Sequence, residues 1–137
     1  KQVTSEDVLI VLRAWGFSRN TNRLNVMPKG QTWVNSDTLG LNCTRRGEAK
    51  VTSVSRKYSN VTRLLVKWLL DNRGGGIPED FPFTSISVNA QYAAARHRDG
   101  NNAGPSVIKA FGKFSGGHLR YWPLDSREKK LHHLQVK

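Results

Sequence analysis

The chain has 137 residues, enough for one domain with a single core and too few for a second independent one. Its 22 Lys and Arg against 10 Asp and Glu give a formal net charge of +12, which favours anionic partners such as nucleic acid, acidic membrane surfaces or an acidic protein complex. The single cysteine excludes an internal disulfide, and no apolar run approaches the roughly 20 residues of a membrane span.

These properties predict a soluble chain that requires no oxidising compartment, and an intracellular location in the nucleus or an organelle is the expectation. The chain begins with Lys1 where a start methionine would stand, which indicates a processed product or a fragment. The basic residues are spread along the sequence without an arginine-rich arm, so a solvated basic surface and a true anion-binding face both remain open.

The first predicted helix covers about residues 5–15. Thr4 or Ser5 can cap its start, and acidic residues follow in the first turn, where the helix dipole favours them. Residues 17–58 alternate short β-favouring pieces with glycines and predict short strands and turns. Those β-favouring pieces are 24–27, 32–34 and 51–54.

The stretch SNVTRLLVKWLLDNRGGG, which starts at Ser59, predicts a second helix. Ser59 or Asn60 can cap it, and the glycines from Gly74 to Gly76 end it. Apolar residues recur at helical spacing and form a core-facing stripe. The residues of this stripe are Val61, Leu64, Leu65, Trp68 and Leu69.

From Pro82 onward the apolar period changes to two. TSISVNAQY (84–92), SVIKAFG (106–112) and HLRYW (118–122) predict three short strands bounded by Gly and Pro. The order of elements predicts an α+β domain, with a helical and irregular bracing region over 1–80 and a β core over 81–137.

The stretch HRDGNN, residues 97–102, carries the candidate chemistry. A protein-kinase catalytic loop needs an asparagine five residues after its aspartate, where this chain has Gly104, and the glycine-rich nucleotide loop is missing. One cysteine and no H-E-x-x-H motif argue against a standard zinc site. In an extended chain, residues i and i+2 point the same way, so His97 and Asp99 fit two ligands of a 2-His-1-carboxylate iron site. A hydrogen-bonded His-Asp pair on a surface turn is the alternative.

The longer stretch SVNAQYAAARHRDGNNAGPSVIKAFGKFSGGHLRYWP resembles the core of Fe(II)/2-oxoglutarate-dependent dioxygenases, in particular the TET/JBP-like branch with its algal and protist relatives. The resemblance covers about residues 81–123. It implies a double-stranded β-helix, or jelly-roll, braced by the N-terminal helices and incomplete at the C-terminus. It also implies Fe(II) and 2-oxoglutarate as cofactors, and hydroxylation of a nucleic-acid base or a protein side chain.

The resemblance assigns roles to particular residues. His97 and Asp99 match the first two metal ligands, and Asn89 and Tyr92 match positions that line the cosubstrate pocket. Two further sets follow from the same alignment of motifs. Gly116 and Gly117 match a turn that packs tightly near the metal, and Asn101 and Asn102 either orient the ligands through hydrogen bonds or form an Asx turn.

The family pattern breaks near the C-terminus. A working member needs a second histidine and then an Arg or Lys for the far carboxylate of 2-oxoglutarate, both well beyond the G-G turn. His132 and His133 are the only histidines left as a third ligand, and Arg120 does not match the position of the cosubstrate arginine.

Three functions therefore stay open. The chain is an oxygenase completed by further residues, or a non-catalytic subunit of degenerate oxygenase fold docked by its basic surface on an acidic complex or nucleic acid. A simple nucleic-acid-binding module, supported by charge alone, is the third. A partner, or further strands of the same protein, is expected to cover the sheet edges.

Overall fold

The computed structural model describes residues 1–24, 26–44, 46–74, 76–99 and 102–134, and it has the α+β arrangement that the sequence predicts. Helices pack against an antiparallel sheet of four strands. In chain order the elements are α1 (Ser5–Arg13), β1 (Arg19–Asn20), β2 (Val34–Cys43), β3 (Ala49–Val51), α2 (Ser53–Lys57), α3 (Ser59–Asp71), β4 (Ser85–Ala90) and a short 3-10 helix (Leu131–His133).

Helix α1 begins where the capping residues of the sequence place it. The Thr4 hydroxyl accepts a hydrogen bond from the Asp7 backbone N–H, while the Asp7 carboxylate accepts one from the Thr4 backbone N–H. This reciprocal capping box satisfies two donors that the first turn leaves free. The hydrogen bonds from Thr4 lower the pKa of the Asp7 carboxyl. The predicted N-cap at Thr4 is confirmed.

Strand β2 is the centre of the sheet, and its partners run antiparallel to it. It pairs with β4 over six residues, from Asn35 opposite Ala90 to Gly40 opposite Ser85. Gly40 has φ of 88°, and a Cβ there would come within 2.3 Å of the Thr84 carbonyl oxygen, so this position requires glycine. β1 and β3 pair with the two ends of β2.

The core lies on one face of the sheet, between β2–β4 and helices α1 and α3. Its buried members are Val8, Leu39, Leu65 and Val88. Val61 and Trp68 of the predicted stripe on α3 pack against them, which confirms the core-facing side of this helix. Because side chains alternate along a strand, Ser36 and Asn89 lie on the opposite face of the sheet.

Some of the predicted strands are wrong. Residues 106–112 and 118–122 carry a strand pattern but run as irregular chain, because they form no strand ladder within the described residues. Of the three short pieces, 32–34 only reaches the start of β2, and 51–54 runs from the end of β3 into α2. The piece at 24–27 contains Asn25, which lies outside the described residues, and its other three residues form no strand.

Among the described helices, none combines the length and apolar character needed to cross a bilayer. This agrees with the absence of a membrane-spanning segment predicted from the sequence.

Candidate functional site

His97 and Asp99 meet side by side, as their spacing predicts. The His97 Nε2 atom lies 3.4 Å from Asp99 Oδ1. Two donor atoms bound to one metal ion at about 2.1 Å would be about 3.0 Å apart at a right angle and about 3.4 Å apart at a tetrahedral angle. The pair therefore has the spacing of two neighbouring ligands.

The imidazole of His97 is held by its other nitrogen. Nδ1 lies 2.7 Å from the Ala95 carbonyl oxygen, and because a carbonyl only accepts, Nδ1 carries the proton. In the neutral ring the lone pair is then on Nε2, the atom that faces Asp99. A histidine that donates one N–H to a backbone carbonyl and presents the other nitrogen is the usual form of a metal-binding histidine.

The pair lies on irregular chain and not at a strand end. Strand β4 ends at Ala90, and residues 91–99 continue without regular structure. The His97 side chain is 28% exposed and that of Asp99 is 63% exposed. Solvent and small ligands can therefore reach both donor atoms.

The two arginines that flank His97 hold the C-terminal part of the chain. Arg98 makes a bidentate pair with Asp125, with N···O distances of 2.5 and 2.7 Å, and also donates to the Lys129 carbonyl oxygen. Arg96 donates to the carbonyl oxygens of Leu131 and Leu134. We call this set of contacts the C-terminal clasp. Hydrogen bonds from Arg98 lower the pKa of the Asp125 carboxyl to about 2.

His132 and His133 do not join the pair. Both are exposed in the 3-10 helix, with their rings packed edge to face at 4.1 Å. Across the described ranges, no three His, Cys, Asp or Glu side chains come together closely enough to hold a metal ion. His97 and Asp99 thus lie together, and no third His, Cys, Asp or Glu joins them in the part of the chain that the structure describes.

Gly116 and Gly117 have the backbone conformation of a glycine turn, but they are not tightly packed. Both residues have φ near 70°, a left-handed conformation that favours glycine. Within the described residues, a Cβ at either position would meet no atom within 4 Å, so the predicted tight packing near a metal is wrong. Of the two asparagines, Asn101 lies outside the described residues, and Asn102 is exposed.

Asn89 and Tyr92, the predicted cosubstrate residues, lie close to an arginine that the sequence pattern did not indicate. Asn89 is directly opposite Ser36 in the β2–β4 ladder, and Arg23 donates to the Ser36 hydroxyl over 3.2 Å. The Arg23 guanidinium also lies 6.0 Å from the centre of the Tyr92 ring. Arg23 lies far from the motif in sequence, and only the fold brings it near Tyr92.

One backbone oxygen links this arginine to the His-Asp pair. The Val26 carbonyl accepts hydrogen bonds from the Tyr92 hydroxyl over 3.3 Å and from the Ala95 N–H over 2.8 Å. Ala95 in turn accepts from His97. The backbone of Val26 is therefore hydrogen-bonded to the segment that leads from Tyr92 to His97.

Comparisons of this chain with protein-family models, with curated proteins and with solved structures find no match.

Proposed function

We propose that this chain carries part of an Fe(II)/2-oxoglutarate-dependent dioxygenase site, in which His97 and Asp99 are two ligands of the metal. The observation that carries the proposal is the His-Asp geometry: Nδ1 is fixed by the Ala95 carbonyl, and Nε2 faces Asp99 Oδ1 at 3.4 Å. The accessible imidazole and carboxylate are two of the donors of a facial triad.

The four-stranded antiparallel sheet is the part of a double-stranded β-helix that these residues would supply under this proposal. A third ligand would come from residues outside those described or from further chain. When bound, Fe(II) with 2-oxoglutarate as co-reductant would activate O2, which would be the oxidant for hydroxylation of a C–H bond. The protein's residues would hold the metal, orient the cosubstrate and present the substrate.

The net charge of +12 supports a negatively charged substrate or partner, either a base within nucleic acid or a side chain in an acidic protein complex. Charge supports the class of partner and does not choose between these two.

Titration with Mn(II), an oxygen-stable substitute for Fe(II), tests the metal site by electron paramagnetic resonance. The expected result is one specific site whose affinity falls by at least about tenfold in Asp99→Ala, because a ligand is lost. Asp80→Ala is the matched control, since Asp80 is also exposed and lies away from His97 in sequence. Addition of 2-oxoglutarate is expected to change the spectrum of the bound ion.

Equal Mn(II) binding by Asp99→Ala and Asp80→Ala would contradict the proposal and favour a second function.

That function is a non-catalytic subunit of related fold, docked in a larger assembly. Apolar exposure supports it, because six large apolar or aromatic side chains between residues 107 and 124 lie 40–91% exposed. They are Val107, Ile108, Phe114, Leu119, Tyr121 and Leu124.

A further inference from the structure

We propose that Asp125 is a positioning residue for the His97–Asp99 pair, and that it acts through Arg98. This inference rests on the proposed function and deepens it, because it assigns control of the same site to the C-terminal segment 122–134. The contacts of the clasp then act in both directions. The arginines hold the segment, and the segment holds the chain on both sides of His97.

The first argument is that the pair lies on chain without regular structure. Ala95 is tied by its N–H to the Val26 carbonyl oxygen over 2.8 Å. Among the described residues, 96–99 make no hydrogen bond from backbone to backbone, so their side-chain contacts fix this part of the chain. Two metal ligands bind tightly only when other contacts fix their orientation. Whatever holds residues 96–99 therefore controls the pair.

The second argument is that the side chains of these residues alternate between two sets of contacts. Those of His97 and Asp99 meet each other at 3.4 Å. Those of Arg96 and Arg98 contact the C-terminal segment instead. The segment therefore holds the residue before His97 and the residue after it. A displacement of the segment would move the imidazole relative to the Asp99 carboxylate.

The third argument is that Asp125 fixes the direction of the Arg98 side chain. Its carboxylate is 14% exposed and accepts two hydrogen bonds from Arg98, over 2.5 and 2.7 Å, and one from the Arg127 N–H over 3.1 Å. A bidentate pair sets the orientation of the guanidinium as well as its distance. The Asp125 N–H donates to the Trp122 carbonyl oxygen over 3.2 Å, and the Trp122 ring lies 5.0 Å from the Arg96 guanidinium. One short turn thus receives both arginines.

The test follows the neutral His97 imidazole of the whole chain by nitrogen-15 magnetic resonance in metal-free buffer. In the unaltered chain the proton is expected on Nδ1, where the Ala95 carbonyl accepts it. Asp125→Asn is expected to raise the share of the Nε2–H form about twofold or more, since a loosened chain makes the bond to Ala95 less often. Glu128→Gln is the matched control and is expected to leave this share unchanged. It makes the same chemical change in the same segment, without an arginine pair among the described contacts.

The affinity for Mn(II), measured by electron paramagnetic resonance, is the second readout. Asp125→Asn is expected to weaken it by about three- to tenfold, less than the loss of a ligand, because the donors are displaced and not removed. Asp125→Glu keeps a carboxylate for Arg98 and is expected to recover most of the affinity. A role in stability alone would lower the urea midpoint and change neither the tautomer nor the affinity.

A second variant keeps the test decisive if Asp125→Asn fails to fold. Arg96 is exposed, and its hydrogen bonds go to two backbone carbonyl oxygens, so Arg96→Gln is expected to fold and to shift the His97 tautomer in the same direction by a smaller amount. In the unaltered chain, the Arg98 Nε–H is expected to exchange with water more slowly than that of the exposed Arg63. An unchanged tautomer in Arg96→Gln, or equal exchange at the two arginines, would contradict the proposed role of the clasp.

An unchanged His97 tautomer in Asp125→Asn, or an equal change in Glu128→Gln, would overturn the assignment. This inference and the proposed function fail in different ways. No Mn(II) binding by the unaltered chain, together with a tautomer shift in Asp125→Asn, would remove the metal and leave Asp125 as the residue that positions His97. Mn(II) binding that depends on Asp99 and not on Asp125 would keep the metal site and remove Asp125 from it.

Discussion

Asp37 is the buried carboxylate on which the N-terminal half depends. It is 5% exposed, and Oδ2 accepts hydrogen bonds from Trp15 Nε1 over 2.9 Å and from the Ser18 N–H over 3.2 Å. These bonds tie the chain after α1 to the middle of β2. A buried carboxylate without such donors would be strongly unfavourable, so the donors and the acid stabilise each other.

Replacement of Asp37 by alanine is expected to lower the free energy of unfolding by about 1–3 kcal/mol, because two part-buried hydrogen bonds to the buried carboxylate are lost. Urea unfolding followed by circular dichroism measures the change. Asp80→Ala is the control, and its effect is expected to stay within about 0.5 kcal/mol, as for an exposed site. A cost for Asp37→Ala no greater than that of the control would show that these hydrogen bonds contribute little.

Asp37 also shows what sequence reading misses at the scale of single residues. Its neighbours Asn35 and Ser36 are polar, so the start of β2 has the composition of a turn and not of a central strand. Its burial follows from donors supplied by distant residues, which no local pattern contains. The meeting of His97 and Asp99 was predictable because it depends on a spacing of two residues, whereas the proximity of Arg23 to Tyr92 depends on the whole fold.

At the scale of elements, the helices were predicted well because their signals are local. The apolar spacing of α1 and α3 lies within the helices themselves, and the cap of α1 is the adjacent Thr4. The predicted cap of α3 at Ser59 or Asn60 is wrong, because the N-cap is Tyr58 and no side chain caps this helix. The segments 106–112 and 118–122 have strand patterns. A strand also needs a neighbouring strand to pair with, and the sequence of the segment alone does not show whether one is present. Phe111 packs edge to face on Trp68 at 5.0 Å, so the first of these segments is held by side-chain packing instead.

The C-terminal clasp is expected to open in acid. The Asp125 carboxyl has a pKa of about 2 in the folded chain, below the value of about 3.9 expected when unfolded. A lowered pKa stabilises the folded form above pH ~4, and this contribution is lost as the pH falls from ~4 through ~2. Protonated Asp125 no longer presents a charged partner to Arg98.

Asp125→Asn is expected to reproduce this opening at neutral pH. Amide exchange at His133 and Leu134, whose N–H groups bond within the clasped turn, is expected to be about two- to fivefold faster, since the ion pair is partly exposed to solvent. Glu128→Gln is the control, because it makes the same chemical change in the same segment without an arginine pair among the described contacts. Equal exchange in both variants would mean that Arg98 does not hold this segment.

At the scale of the whole molecule, the surface area is large for the mass. The chain exposes 11185 Å². A compact protein of 15.4 kDa exposes about 7200 Å². Much of the excess accompanies the irregular chain after Asn102, where the exposed apolar side chains lie. In the described chain, β4 pairs with β2 alone, which leaves its other edge available. Both features leave apolar side chains and a strand edge exposed to solvent in this region.

The two proposed functions differ in what covers the exposed C-terminal segment and in whether a metal binds at His97 and Asp99. In the oxygenase, further strands would complete the fold and supply the third ligand beside His97 and Asp99. In the non-catalytic subunit, a partner would cover the exposed segment and no metal would bind. The state of the His97 imidazole distinguishes them most directly, because it reports whether a metal binds at His97 and Asp99.

The decisive measurement is nitrogen-15 magnetic resonance of the four histidine imidazoles during titration with substoichiometric Mn(II). His97 is expected to carry its neutral-state proton on Nδ1, and its Nε2 signal is expected to broaden before those of His118, His132 and His133. Asp99→Ala is expected to abolish this selectivity. Equal broadening of all four rings, or a His97 signal that Mn(II) leaves unchanged, would contradict a metal site at this pair.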